Sequence, residues 1–229
     1  MMRLTPPRGL SLRRAVERLR ALDPRVIVTC ARGSSDHAAT FFKYACEISA
    51  GVPVAYGSDL LGQLQVAVTE APDAGGFLEE PWRELVACAR SLSQTQIANE
   101  FTSLFGGVGK PEVFLYGSHY LSGFLNEKPL ARLRTDLDRL GLARDDSMSE
   151  TEDHIAYLCE VMRYLIAGDD VAVCNLTAQR DFFATHLQPW VLQLCDALAA
   201  QPQARFYAAL AQFTRAFVSV EAQGFDMLD

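Results

Sequence analysis

The sequence predicts a mainly all-α protein in which a helical bundle follows a short βα fragment. Three observations lead to this prediction. Hydrophobic residues make up 49% of the 229-residue chain, enough apolar surface for a folded core. From Asp59 onward the apolar residues recur at helical spacing. Before that point, short apolar runs favour strands at residues 26–30 and 51–55. We therefore divide the chain into residues 1–58, a strand-loop-helix fragment, and residues 59–229, a helical domain.

The fragment begins with an amphipathic helix over residues 10–22, where leucines at helical spacing alternate with arginines. The β-branched run at residues 26–30 is typical of a buried parallel strand. A Gly-Ser turn then leads into a helix over residues 36–49, a geometry that presents backbone N–H groups to an anion. Because a doubly wound sheet needs several parallel strands, we do not expect this fragment to fold as an independent domain.

The remaining elements are all predicted as helices. A stripe of leucines predicts the first of them from Asp59 to about Pro72. Later helices are predicted at about residues 79–96, 101–105, 116–120, 127–140, 155–165, 175–187, 190–200 and 204–222. The glycine-rich stretch at residues 106–111 lacks the spacing and the Lys-Ser/Thr ending of a phosphate-binding loop, so we interpret it as a loop that ends a helix. A polar loop is predicted at residues 143–150.

The formal charge of −7 is unevenly distributed. Residues 1–57 hold nine Arg/Lys against four Asp/Glu, whereas residues 58–229 hold twelve against twenty-four. The acidic helical part should therefore repel nucleic acid and attract basic partners. No stretch approaches the ~20 apolar residues of a membrane span, and charged side chains interrupt the N-terminal segment where a secretory signal would need an apolar core.

The six cysteines are scattered, with no CxxC pair and no Cys/His cluster at metal-ligand spacing. Most lie in apolar helical stretches, which predicts buried free thiols. This pattern fits a reducing cytoplasm and indicates neither a disulfide framework nor a metal site.

Residues 28–40 resemble the first strand and loop of a sugar isomerase (SIS) domain, and the resemblance extends over about residues 10–57. In that family the loop after the first strand contacts the sugar phosphate, which implies weak phosphate-binding positions at Gly33, Ser34 and Ser35. The second phosphate loop and the remaining strands of the family are absent. We therefore expect a fragment without isomerase activity and keep a sugar-phosphate-binding or isomerase-like protein as an alternative.

Four later segments resemble the TorD/DmsD family of cytoplasmic chaperones for molybdenum-containing redox enzymes. They are residues 100–105 (EFTSLF), 116–120 (YGSHY), 152–155 (EDHI) and 183–190 (FATHLQPW). The resemblance, over about residues 59–229, implies an all-helical bundle that is not an enzyme. It further implies that the chain binds the twin-arginine signal peptide or precursor of a molybdoenzyme. The precursor is then held back in the cytoplasm until its cofactor is loaded.

The chain departs from this family at its start. The family normally opens with a further helix before Leu60, and here the SIS-like piece stands in its place, so a non-functional fusion is another alternative. We expect no cofactor, no nucleic-acid partner and no membrane insertion. Either a monomer or a swapped dimer is compatible with the sequence.

The resemblance implies that Asp153 and His154 contact the client or position the loop that carries them. Five carboxylates lie in the nine residues from Asp145 to Asp153. This acidic loop, residues 144–154, has two compatible interpretations. It faces the basic signal peptide, where charge complementarity sets specificity and on-rate. Alternatively, Ser149 and Glu152 form a capping box at the start of the next helix.

The other candidates are aromatic or polar residues of the resembling motifs. His186 either satisfies a buried carbonyl or contacts the client, and it has no nearby partner that would favour a hydrolase or a metal site. Tyr116 and Tyr120 line either the core or a peptide groove. Trp82 has the same two interpretations and is expected to be partly exposed. The full set of candidate client-binding residues is Asp153, His154, Glu152, Tyr116, Ser118, Tyr120, His186 and Trp82.

Overall fold

The computed structural model describes residues 78–106, 109–144, 149–168 and 170–227. Within these residues the fold is eight helices without a strand. The helices are α1 Glu79–Ser91, α2 Gln94–Phe105, α3 Gly117–Ser122, α4 Lys128–Arg139, α5 Ile155–Ala167, α6 Leu176–His186, α7 Val191–Ala199 and α8 Phe206–Asp226. The predicted SIS-like fragment, its loop residues Gly33, Ser34 and Ser35, and the helix predicted from Asp59 lie outside the described residues.

Most helices predicted from residue 100 onward are confirmed, including the short helix at residues 116–120 and the five that correspond to α4–α8. The single helix predicted over residues 79–96 is wrong, because α1 ends at Ser91 and α2 begins at Gln94. Ser93 causes the break. Its hydroxyl accepts the Gln96 N–H at 3.3 Å, and the Gln96 side chain accepts the Ser93 N–H at 2.8 Å. This capping box starts a new helix.

The core is organised around α8, which packs mainly along α7 and α1 and also contacts α2. Aromatic side chains join it to its neighbours. The ring of Trp82 on α1 lies 5.5 Å from that of Phe213, and the ring of Phe183 on α6 lies 5.3 Å from that of Phe225. Trp82 is partly exposed, as predicted, whereas Trp190 is completely buried.

Two further pairs of helices complete the bundle, since α3 packs against α4 and α5 packs against α6.

The prediction of buried thiols is confirmed for Cys159 and Cys195, whereas Cys88 and Cys174 are partly exposed. None of the helices in the described part of the chain is long and apolar enough to cross a bilayer.

The N-terminus of α8 is capped by a side chain from α2. Glu100 is only 8% exposed, and its carboxylate accepts the backbone N–H groups of Arg205, Phe206 and Tyr207 at 2.9, 3.2 and 2.8 Å. The N-cap residue Arg205 supplies no side-chain cap of its own. A carboxylate at this position satisfies N–H groups that lack intrahelical partners and interacts favourably with the helix dipole. One glutamate therefore fixes the start of the central helix.

Replacing Glu100 by alanine should lower the free energy of unfolding by about 2–4 kcal/mol, because three N–H groups at a helix start lose a charged acceptor. Urea unfolding followed by circular dichroism measures this change. Glu112→Ala, at an exposed position, is the matched control and should change stability little. A loss below about 0.5 kcal/mol for Glu100→Ala would show that water replaces the carboxylate without penalty.

Candidate functional site

The segments before α3 and α5 pair with each other and bring most of the predicted site residues together. The Ile155 N–H donates to the Leu115 carbonyl at 2.8 Å, and the Gly117 N–H donates to the Asp153 carbonyl at 2.9 Å. These two bonds form an isolated antiparallel bridge between Tyr116 and His154. The bridge places the end of the acidic loop against the first turn of α3.

Asp153 caps α3 from this neighbouring segment. It is only 3% exposed, and one of its carboxylate oxygens accepts both the Ser118 backbone N–H, at 2.9 Å, and the Ser118 hydroxyl. The other oxygen accepts the Thr151 hydroxyl at 2.7 Å. The N-cap residue of α3, Tyr116, provides no side-chain cap. Asp153 thus holds the start of α3 in place, and both of its oxygens have partners inside the protein.

His154 is the N-cap residue of α5, and its Nδ1 accepts the Ala156 N–H at 3.2 Å. The predicted capping box of Ser149 and Glu152 is therefore wrong, since the helix starts after His154. Burial lowers the pKa of His154 to about 4, although Glu150 and Asp153 raise it in part. The imidazole is consequently neutral at neutral pH, as its acceptor role requires.

The described carboxylates of the acidic loop are paired within the protein. Arg134 donates to one oxygen of Glu152 through Nε and Nη2, at 3.1 and 2.9 Å, and the Nε of Arg144 lies 3.8 Å from the other. Glu150 accepts the Tyr116 hydroxyl, and this hydrogen bond lowers the pKa of Glu150. The loop therefore presents little unpaired negative charge in its described part. Asp145 and Asp146 lie outside the described residues.

His186 and Trp190 close the opposite side of the site. The Nε2 atom of His186 lies 3.0 Å from a carboxylate oxygen of Asp136 on α4, so its ring partner is a carboxylate and the predicted buried carbonyl is wrong. The backbone carbonyl of His186 accepts the Trp190 indole N–H at 2.7 Å. Trp190 stacks on Tyr120 with 5.4 Å between ring centroids. A Cβ at Gly117 would lie 3.0 Å from the Trp190 Nε1, so this close packing favours glycine there.

These contacts line a small, shallow cleft that opens beside α3. Its walls come from α3, α4, α5, the end of the acidic loop and the α6–α7 turn. The lining residues are Gly117, Ser118, Leu121, Pro129, Leu133, Asp153, Leu158, His186 and Trp190. Ser118, Asp153 and His186 of the predicted set thus meet in one cleft. Trp82 is on α1 against α8 and is not part of it.

An exposed apolar rim, consisting of Leu121, Phe124 and Leu125, borders the cleft. Leu121 and Leu125 are each 41% exposed and Phe124 is 71% exposed. Gly123 and Asn126 have positive φ angles of 80° and 59°, which shape the turn that displays Phe124 and Leu125. Left-handed backbone at a residue other than glycine is uncommon. This rim was not predicted from the sequence, because a short apolar stretch in a turn has no periodicity.

Comparison with known proteins supports the family resemblance of the segments that form the cleft. A family model described as "Nitrate reductase delta subunit" matches residues 73–196, more than half of the chain. A chaperone protein TorD of Vibrio cholerae is 27% identical over 146 residues, which cover 61% of this chain and 66% of the relative. A chaperone protein TorD of Vibrio parahaemolyticus is 24% identical over 141 residues, covering 58% and 66%. The matched part spans slightly less than two thirds of the length of these relatives.

Replacing Asp153 by alanine should lower the free energy of unfolding by about 2–4 kcal/mol, since a buried helix start loses its acceptor. Chemical unfolding measures the loss. Asp138→Ala, at an exposed position of α4, is the control and should be nearly neutral. A fully stable Asp153→Ala variant would contradict the positioning role described above.

His154 should make stability depend on pH between its ordinary pKa of 6.5 and its folded value of about 4. In that window the unfolded chain binds a proton that the folded chain does not, so stability falls as the pH falls. The loss is on the order of 3 kcal/mol by pH 4.

His154→Asn removes this titration and keeps an N-cap acceptor, because asparagine is a good N-cap residue. Unfolding free energies measured at pH 7, 5.5 and 4 should therefore fall less steeply in the variant. The other titrating groups are common to both proteins, so the difference reports His154 alone. Parallel pH profiles would be inconsistent with a neutral, buried His154.

Proposed function

The chain belongs to the nitrate reductase delta subunit family, and we propose that it is a chaperone for the maturation of a molybdenum-containing oxidoreductase. It binds the twin-arginine signal peptide or precursor of its client in the cytoplasm, before export, and performs no covalent chemistry. One observation carries the proposal. The family match over residues 73–196 contains every residue that lines the cleft, and the Vibrio relatives described above are TorD chaperones.

The apolar rim and the cleft are the surface that we propose for the client. An exposed apolar patch beside a cleft is typical of a peptide-binding surface, and an apolar helical segment binds such a surface through side chains at one face. Leu121 belongs to both the rim and the cleft, so one segment can contact both. The apolar stretch of a signal peptide supplies apolar side chains of this kind.

We propose a positioning role for the buried candidates. Asp153, Ser118 and Tyr116 fix the start of α3, and His154 fixes the start of α5. Glu152 holds the acidic loop to α4 through Arg134. Tyr120 and His186 support Trp190 from two sides. Their effect on the client is exerted through the shape of the cleft. Trp82 has no part in this cleft.

The alternatives receive less support. The sugar-phosphate hypothesis depends on Gly33, Ser34 and Ser35, which lie outside the described residues, whereas the family match begins at residue 73. A non-functional fusion is disfavoured because the described helices bury one continuous apolar cluster. The choice between monomer and swapped dimer stays a prediction from the sequence.

The proposal is tested by calorimetric titration of the full chain with a twin-arginine signal peptide and with a scrambled peptide of the same composition. The signal peptide should bind more tightly and should also raise the melting temperature, because a ligand that binds only the folded state stabilises it. Equal binding of the two peptides would refute the proposed function.

Phe124→Ser should weaken binding of the signal peptide roughly tenfold, because a buried phenylalanine contributes about 1.5–3 kcal/mol of apolar contact. The same titration measures the change. Val171→Ser is the matched control, since Val171 is an exposed apolar residue between α5 and α6 and does not belong to the rim. Unchanged affinity for Phe124→Ser would remove the rim from the binding surface.

A further inference from the structure

The turn between α3 and α4 has a defined conformation that exposes the apolar rim. Gly123 and Asn126 have left-handed φ angles of 80° and 59°, one on each side of the exposed apolar residues of the turn. The Ser122 hydroxyl lies 2.7 Å from the Ser118 carbonyl and 3.3 Å from the Phe124 carbonyl. Left-handed backbone at a residue other than glycine persists only where the surrounding structure determines it. The backbone of the turn therefore holds these apolar side chains toward solvent.

Glu127 ends this turn and carries an exposed carboxylate. It is the N-cap residue of α4, but its side chain makes no capping hydrogen bond. It takes part in none of the ion pairs between residues that the structure describes. Serine, threonine, aspartate and asparagine are the residues that cap helices well, so a glutamate here does not serve α4 as a cap. The carboxylate is therefore available to a ligand.

The carboxylate lies at the edge of the cleft, beside the rim. Leu121 and Pro129 both line the cleft, so the chain between them runs along its border. Consecutive Cα atoms are about 3.8 Å apart, which places the Cα of Glu127 within about 8 Å of those of Leu125 and Pro129. A negative charge is thus close to exposed apolar side chains and to the cleft.

This combination suits a peptide better than a second copy of the chain. The exposed parts of the three rim side chains cover far less than the roughly 800 Å² that each partner of a stable complex buries. A secretory signal peptide has a basic region followed by an apolar one. Such a peptide is complementary to a carboxylate next to apolar side chains, and charge complementarity at an interface mainly sets specificity and association rate.

We propose that Glu127 is a specificity-determining residue of the client surface. Its carboxylate pairs with an arginine of the signal peptide, while the rim contacts the apolar stretch that follows. The inference rests on the proposed function, and it assigns recognition of the basic region to Glu127 because Glu152 and Asp153 are paired inside the protein. A guanidinium suits an exposed carboxylate, since it can donate two parallel charge-assisted hydrogen bonds.

The test is calorimetric titration of the full chain with a twin-arginine signal peptide and with the same peptide in which both arginines are replaced by glutamine. Glu127→Gln should weaken binding of the arginine peptide about three- to fivefold, as expected for an exposed ion pair, and leave binding of the glutamine peptide unchanged. Glu84→Gln is the matched control, because it removes the same charge at an exposed position of α1, outside the rim and the cleft. It should bind both peptides as wild type does.

Two further variants separate charge recognition from a change in the shape of the turn. Lys128→Gln removes the neighbouring exposed positive charge and should not weaken binding of the arginine peptide. Glu127→Lys should bind a peptide with both arginines replaced by glutamate about fivefold more tightly than wild type does, because the pair is restored with reversed charges. Melting temperatures without peptide are measured for each variant, since Glu127 also interacts with the dipole of α4.

Several outcomes overturn the inference. Equal affinity of wild type and Glu127→Gln for the arginine peptide removes Glu127 from recognition and leaves the proposed function standing. Equal weakening of both peptides, or weaker binding by Lys128→Gln as well, assigns the effect to the shape of the turn.

The rim variant Phe124→Ser tests the other occupants. A changed oligomeric state of this variant assigns the rim to a second copy, and a melting temperature lowered by several degrees without peptide assigns it to residues 1–77 of the same chain. Either result overturns the inference. If wild type does not distinguish the signal peptide from its scrambled form, both the proposed function and this inference fail.

Discussion

Among the described helices that begin without a side-chain cap of their own, α3 and α8 are each completed by a buried carboxylate from another part of the chain. Glu100 on α2 accepts three N–H groups at the start of α8, and Asp153 accepts the Ser118 N–H at the start of α3. Helix starts expose N–H groups that need acceptors, and burying them without one is costly. The central helix and the helix that forms the cleft wall are therefore held by acceptors distant in sequence.

The internal partners of these carboxylates also affect how the acidic loop can interact with a ligand. A carboxylate that already accepts two or three hydrogen bonds in the interior has little capacity left for a ligand. Asp153 and Glu152 are in this position, since their partners are Ser118, Thr151 and Arg134. The described loop is thus better suited to maintain the shape of the cleft than to attract a basic peptide. The surface that we propose for the client is the apolar rim, whose exposed side chains need no hydrogen-bond partner.

Local patterns predicted the helices well, because helical periodicity and caps depend on residues a few positions apart. The break at Ser93 shows that even a short-range signal is missed when two helices follow each other directly. Contacts across the chain were not predictable in the same way. The Asp136–His186 pair joins residues 50 positions apart, and no sequence pattern predicts this contact. The pairing of Tyr116 with His154 could not be predicted from the sequence either, although both residues lie in segments that carry the family resemblance.

Glu100 and Asp153 show why this fold keeps carboxylates in its interior. Each is needed by a helix start, and a leucine at either position would leave backbone N–H groups without an acceptor. The exposed apolar side chains of the rim meet no such requirement of the fold, so they can be replaced without leaving a buried polar group unsatisfied.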